Sequence, residues 1–116
     1  MKKTLFDILL EEKKKKEKYF RNYLKYARIA KKIAKNELED VKVFVFGSVV
    51  KKKHKPTSDI DLLIVSKNMP KVMKDRAKIQ AKIFEKIGIL APFEIHMVNE
   101  KEFKWYKKFI DKKIAV

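Results

Sequence analysis

The sequence predicts an α/β fold, a small mixed three-stranded sheet flanked by helices in the order α-β-α-β-α-β-α. Three observations predict it. Apolar residues recur at three- and four-residue spacing over long stretches, three short runs of β-branched and aromatic residues interrupt them, and Gly or Pro stands near the joints. Alternation of this kind argues for helices covering one sheet in a single domain over residues 1–116. A chain of this length can bury roughly two thirds of the surface that it exposes when unfolded.

The elements follow in order. Thr4 to Leu38 contains neither Gly nor Pro, and Phe20, Tyr23, Leu24, Ala27, Ala30, Ile33 and Ala34 form a helical stripe. This is one helix or two, with the polar run Glu11–Lys18 as a solvated face or a break. Val41–Phe46 reads as a buried strand ending at Gly47. Ser48–Lys55 is a short helix or loop closed by Pro56, and Asp59–Val65 is the second strand. Asn68, Met69 and Pro70 mark a turn. From Lys71 to Ile87 the residues Val72, Met73, Ile79, Ile83, Phe84 and Ile87 keep helical spacing, and Gly88 stands where a C-cap belongs. Phe93–Val98 is the third strand. Asn99 and Glu102 pair as a capping box for a last helix, in which Phe103, Tyr106, Phe109 and Ile110 make the apolar stripe and Trp105 also joins the core.

Composition removes several chemistries. There is no cysteine, which rules out disulfides, thiolate metal sites and Cys nucleophiles and fits a reducing, cytoplasmic setting. No apolar run approaches the roughly 20 residues needed to span a bilayer, so no membrane role is expected. Lys and Arg number 31 against 15 Asp and Glu, a formal charge of +16. Such a surplus concentrates anions around the chain, be they nucleotides, nucleic acid or an acidic protein face. The weighting toward Lys and Glu also fits proteins from hot environments, so the charge alone does not establish nucleic-acid binding.

The second strand carries the chemistry. Successive strand residues point to opposite faces, so Asp59 and Asp61 share one face while Ile60, Leu62 and Ile64 enter the core. Two adjacent carboxylates need compensation, either from nearby lysines or from a divalent cation. Magnesium suits the second solution, because it takes oxygen ligands and is usually held by one or two carboxylates plus substrate phosphates. Gly47 and Ser48 supply a complementary half: glycine lets backbone approach a ligand closely, and the N–H groups that follow can meet phosphate oxygens.

Gly47-Ser48, ten residues, then Asp59-Ile60-Asp61 resembles the signature of the nucleotidyltransferase superfamily that includes DNA polymerase beta. Chance alone gives this pattern on the order of once in a thousand chains of this length. The chain is most similar to the minimal nucleotidyltransferases of prokaryotes, and the resemblance covers most of it. It implies transfer of a nucleoside monophosphate from an NTP, expected to be ATP, to a hydroxyl. Asp59 and Asp61 would bind two Mg2+ ions, Glu94 would be the third catalytic carboxylate and metal ligand, and Gly47 and Ser48 would cradle the β- and γ-phosphates. Glu94 stands where the family more often has aspartate, and Val49, Val50 and "KKKHK" replace the family's arginine and glycine; Lys51, Lys52, Lys53 or Lys55 would take phosphate contacts. His54 is read as a surface residue and His96 as a structural one. Minimal relatives are paired with a helical HEPN-type toxin to which they act as antitoxins, so such a partner is expected here and nucleic acid is not required. The alternatives are a standalone enzyme acting on a small molecule or RNA, and an inactive binding module of the same fold.

Overall fold

A computed structural model describes residues 2–116. In chain order the elements are α1 (Leu5–Arg21), α2 (Tyr23–Leu38), β1 (Lys42–Phe46), β2 (Ile60–Val65), α3 (Met73–Ile87), β3 (Phe93–Val98), α4 (Glu100–Tyr106) and β4 (Lys113–Ala115). The sheet runs β3-β2-β1-β4. β1 is antiparallel to both β2 and β4, and β2 is parallel to β3.

β2 reads as an almost unbroken apolar run because it is an inner strand with both faces covered. On one face Val43, Val45, Ile60, Leu62, Ile64 and Ile95 pack against α2 and α3. Ala27, Ala30 and Ala34 are fully buried, and their small side chains let α2 approach the sheet closely. On the other face Leu63, Val65 and Val98 meet Phe103 of α4, with Phe44, Phe46 and Tyr106 around them. Each fully buried Leu or Ile contributes about 1.5–3 kcal/mol relative to exposure. The two-sided burial therefore fixes β2, and with it Asp61, in the best-packed part of the molecule.

The break in the long N-terminal helical stretch falls at Asn22 and not in the lysine run. Thr4 and Asp7 close a capping box on α1, which continues through Glu11–Lys18 as a solvated face. It stops where the Asn22 side-chain amide donates to the Lys18 carbonyl at 3.0 Å and competes with the helical bonds. α1 buries only Phe20, leaving Leu5, Phe6 and Leu9 exposed.

Three expectations need correction. The sheet has four strands, because Lys113–Ala115 returns to pair with β1. No helix separates β1 from β2: residues 48–52 make successive turns, with Lys52 left-handed at φ 57°. Val49 and Val50 are buried and pin that loop to the core. Trp105 and Phe109 lie on the surface, 58% and 69% exposed, because α4 ends at Tyr106 before the apolar stripe completes another turn. They pack against each other instead as tilted rings, centroids 4.6 Å apart. Val72 and Met73, at the start of α3, are likewise exposed.

α4 is held by Arg76, one of few buried polar side chains. Its Nε donates to the Pro70 carbonyl at 2.6 Å, and Nη1 donates to the Met97 carbonyl and to Glu102 Oε1, each at 3.0 Å. Glu102 also completes the α4 capping box with Asn99. One guanidinium thus ties α3, β3 and α4 together. Among the described residues, no helix is long and apolar enough to cross a membrane.

Candidate active site

The site forms where β1, β2 and β3 lie side by side. Strand register sets Asp61 opposite Phe46 on one side and opposite Glu94 on the other. His96, two residues beyond Glu94, shares its strand face. The consequence is a cluster: Asp61, Glu94 and His96 each offer one ligand atom within 4.8 Å of the others. His96 Nε2 stands 3.5 Å from Asp61 Oδ1 and 3.7 Å from Glu94 Oε1. Its Nδ1 lies 3.3 Å from the Tyr106 hydroxyl.

Gly47 closes the cluster from the β1 side. Its φ is +83°, a left-handed conformation suited to glycine, and a Cβ built there would overlap the Asp61 carboxylate. Beyond it the Lys51 N–H donates to the Gly47 carbonyl and the Lys53 N–H to the Ser48 carbonyl. Among the described residues, the N–H groups of Ser48, Val49 and Val50 have no backbone acceptor.

Asp59 lies just before β2, exposed and outside the three-residue cluster. It borders a cleft of about 1060 Å³ walled by Lys13, Lys16 and Phe20 of α1, by His54 and by Leu90. His54 is indeed exposed, and its ring stacks on Phe20 with centroids 4.6 Å apart. Lys51 is engaged elsewhere: its Nζ meets Asp111 Oδ2 at 2.8 Å, and that contact holds the Asp111 carboxyl below the usual carboxylate range.

The geometry bears on lysine as the counter-charge. Among the described residues, no Lys or Arg lies within 4.0 Å of a carboxylate oxygen of Asp59, Asp61 or Glu94; only His96 pairs with any of them. In a chain of formal charge +16, none of these three acidic groups has a Lys or Arg partner. His96, read from the sequence as structural, has a partner on each ring nitrogen. Its position on the Glu94 face was legible, but its contact with Asp61 depends on strand register and its contact with Tyr106 on how α4 docks.

The mixed sheet, with carboxylates on adjoining strands beside a Gly-Ser turn, has the nucleotidyltransferase fold. The nucleotidyltransferase-domain family profile matches residues 25–116, and the chain belongs to that family. A crystal structure of a protein assigned by inference as a nucleotidyltransferase is 33% identical, with a TM-score of 0.60, over 82% of this chain and 98% of that one. A second such inferred nucleotidyltransferase, from Sulfolobus solfataricus, shares the fold at 22% identity and a TM-score of 0.54, over 82% of each chain. No curated protein matches the chain. α1 precedes the matched residues.

Proposed function

We propose that the domain transfers a nucleoside monophosphate, AMP from ATP, to a hydroxyl. The observation that supports this most is the set of acidic groups on β2 and β3 that no lysine neutralises, facing the Gly47 turn. The acceptor oxygen would form a bond to the α-phosphorus while the bond from that phosphorus to the bridging oxygen breaks, and pyrophosphate departs. Glu94 takes the proton of the acceptor hydroxyl. The N–H groups after Gly47 and the Ser48 hydroxyl hold the β- and γ-phosphates.

The residues fit divalent ions: Asp61 and Glu94 offer oxygen ligands close together, the missing side chain at Gly47 lets the Asp61 carboxylate lie against the β1 turn, and Asp59 stands just before β2. Asp59, Asp61 and Glu94 would hold two divalent ions, which when bound would neutralise charge on the entering and leaving oxygens.

The acceptor we favour is a helical HEPN-type protein, toward which this chain would act as an antitoxin. Exposed Leu5, Phe6 and Leu9 on α1, with Trp105 and Phe109 near α4, support a protein partner, since such groups are usually covered when clustered. Co-expression with the adjacent gene product and mass spectrometry of the captured pair test this. A partner carrying one added AMP is expected; a chain that captures nothing, yet modifies a small molecule or RNA, overturns the antitoxin reading and keeps the chemistry.

A further inference from the structure

We propose that His96 is itself a metal ligand, so that the centre on Asp61 and Glu94 takes a nitrogen-accepting first-row ion such as Mn2+ in preference to Mg2+, with Tyr106 as the positioning residue for the ring. This rests on the proposed metal-dependent reading of the same site. Three observations carry it.

Ligand atoms about 2.1 Å from one octahedral ion stand roughly 3 Å apart when adjacent and roughly 4.2 Å apart when opposite. His96 Nε2 lies 3.5 Å from Asp61 Oδ1 and 3.7 Å from Glu94 Oε1, inside that interval, and the three ligand atoms all lie within 4.8 Å of one another, so small side-chain adjustments would bring them around one ion. The backbone already fixes the directions, since Asp61 and Glu94 are register partners and His96 follows on the same face.

The second observation concerns the other nitrogen. A metal-bound imidazole normally gives its remaining N–H to a hydrogen-bond acceptor, which sets the tautomer and aims the lone pair. Nδ1 of His96 is 3.3 Å from the Tyr106 hydroxyl, so Nδ1–H donating to Tyr106 leaves Nε2 unprotonated and turned toward the two carboxylates. Phe46 flanks the ring at 5.4 Å between centroids and restricts its rotation. The third is the absence, among the described residues, of any Lys or Arg on Asp61 or Glu94 that an arriving cation would have to displace. Magnesium favours all-oxygen surroundings, whereas the first-row ions from Mn2+ onward bind mixed nitrogen and oxygen sites with rising affinity, and Mn2+ shares the octahedral geometry of Mg2+.

The test is Mn2+ alone, titrated by electron paramagnetic resonance into the intact chain, with Mg2+ as competitor. Electron spin-echo measurement on protein carrying 15N-histidine reads the metal–nitrogen contact directly. The wild type should show one 15N coupling and bind Mn2+ at least tenfold tighter than Mg2+. His96→Gln and His96→Ala should abolish the coupling and weaken Mn2+ by about 10–100-fold with little change for Mg2+, and Tyr106→Phe should weaken Mn2+ by about tenfold. Circular dichroism on each variant separates lost ligation from lost folding, and the wild-type coupling needs no variant at all. Absence of that coupling, with Mn2+ bound through Asp61, overturns the role of His96 and leaves the carboxylate site standing. If Asp61→Asn leaves both ions bound as in the wild type, the metal-dependent reading itself fails.

Discussion

The backbone of Gly47 rests against the carboxylate of Asp61, so closely that any Cβ at position 47 would overlap Asp61 Oδ2. These two residues join the halves of the proposed site, the turn assigned to phosphate and the strand assigned to metal in that proposal. Phe46, the residue before Gly47, is the register partner of Asp61, so the contact is built into the β1–β2 pairing.

Gly47→Ala should therefore damage stability and binding together. The left-handed φ of +83° and the clash with Asp61 predict a loss of about 1–3 kcal/mol. Displacing the carboxylate should weaken metal-dependent ATP binding by tenfold or more. Thermal melts and titration with a fluorescent ATP analogue check both, and a variant that melts and binds as the wild type does would refute the contact.

Glu94→Gln separates binding from chemistry. Gln keeps an oxygen ligand but cannot accept the acceptor's proton, so nucleotide affinity should stay nearly constant while the transfer rate falls by about 100- to 10,000-fold. Loss of nucleotide binding on the scale of an Asp61 variant would reassign the residue.

Arg76→Ala probes what holds α4. Removing the guanidinium strands the Pro70 and Met97 carbonyls and frees Glu102, at a cost of about 3 kcal/mol in chemical denaturation. Tyr106 sits at the end of that helix, so the same change should also loosen the His96 ring in side-chain NMR. A loss below about 0.5 kcal/mol would show that α4 docks through Phe103 alone.

The central sheet was legible because three of its strands carry their own apolar signal: Val43 and Val45, Ile60 with Leu62 to Val65, and Ile95 and Met97 are buried as their pattern requires. β4 was not, since a three-residue edge strand with one inward apolar residue, Ile114, has too little pattern to stand out from "DKKIAV". Trp105 and Phe109 misled because helical spacing continues in the sequence past the point where α4 stops. At the candidate site, Gly47, Ser48 and Asp61 were legible as candidates from the motif, and Glu94 from the family resemblance, and strand register sets Asp61 beside Glu94. Asp59 shares the parity but precedes β2, so the strand does not hold it against Asp61 and Glu94. His96 acquires its meaning only through Tyr106, ten residues later and on another element, a relation that no local pattern encodes.

The account stands most directly on which phosphate of ATP ends up on the acceptor. Incubating the chain and its candidate partner with a divalent ion and ATP labelled at the α- or, separately, the γ-phosphate distinguishes nucleotidyl from phosphoryl transfer. α-Label should appear on the acceptor and γ-label only in pyrophosphate, and Asp59→Asn with Asp61→Asn should abolish transfer while leaving the fold as stable or more so, because the carboxylate repulsion is relieved. γ-Label on the acceptor, or α-label transfer that survives the double substitution, would contradict it.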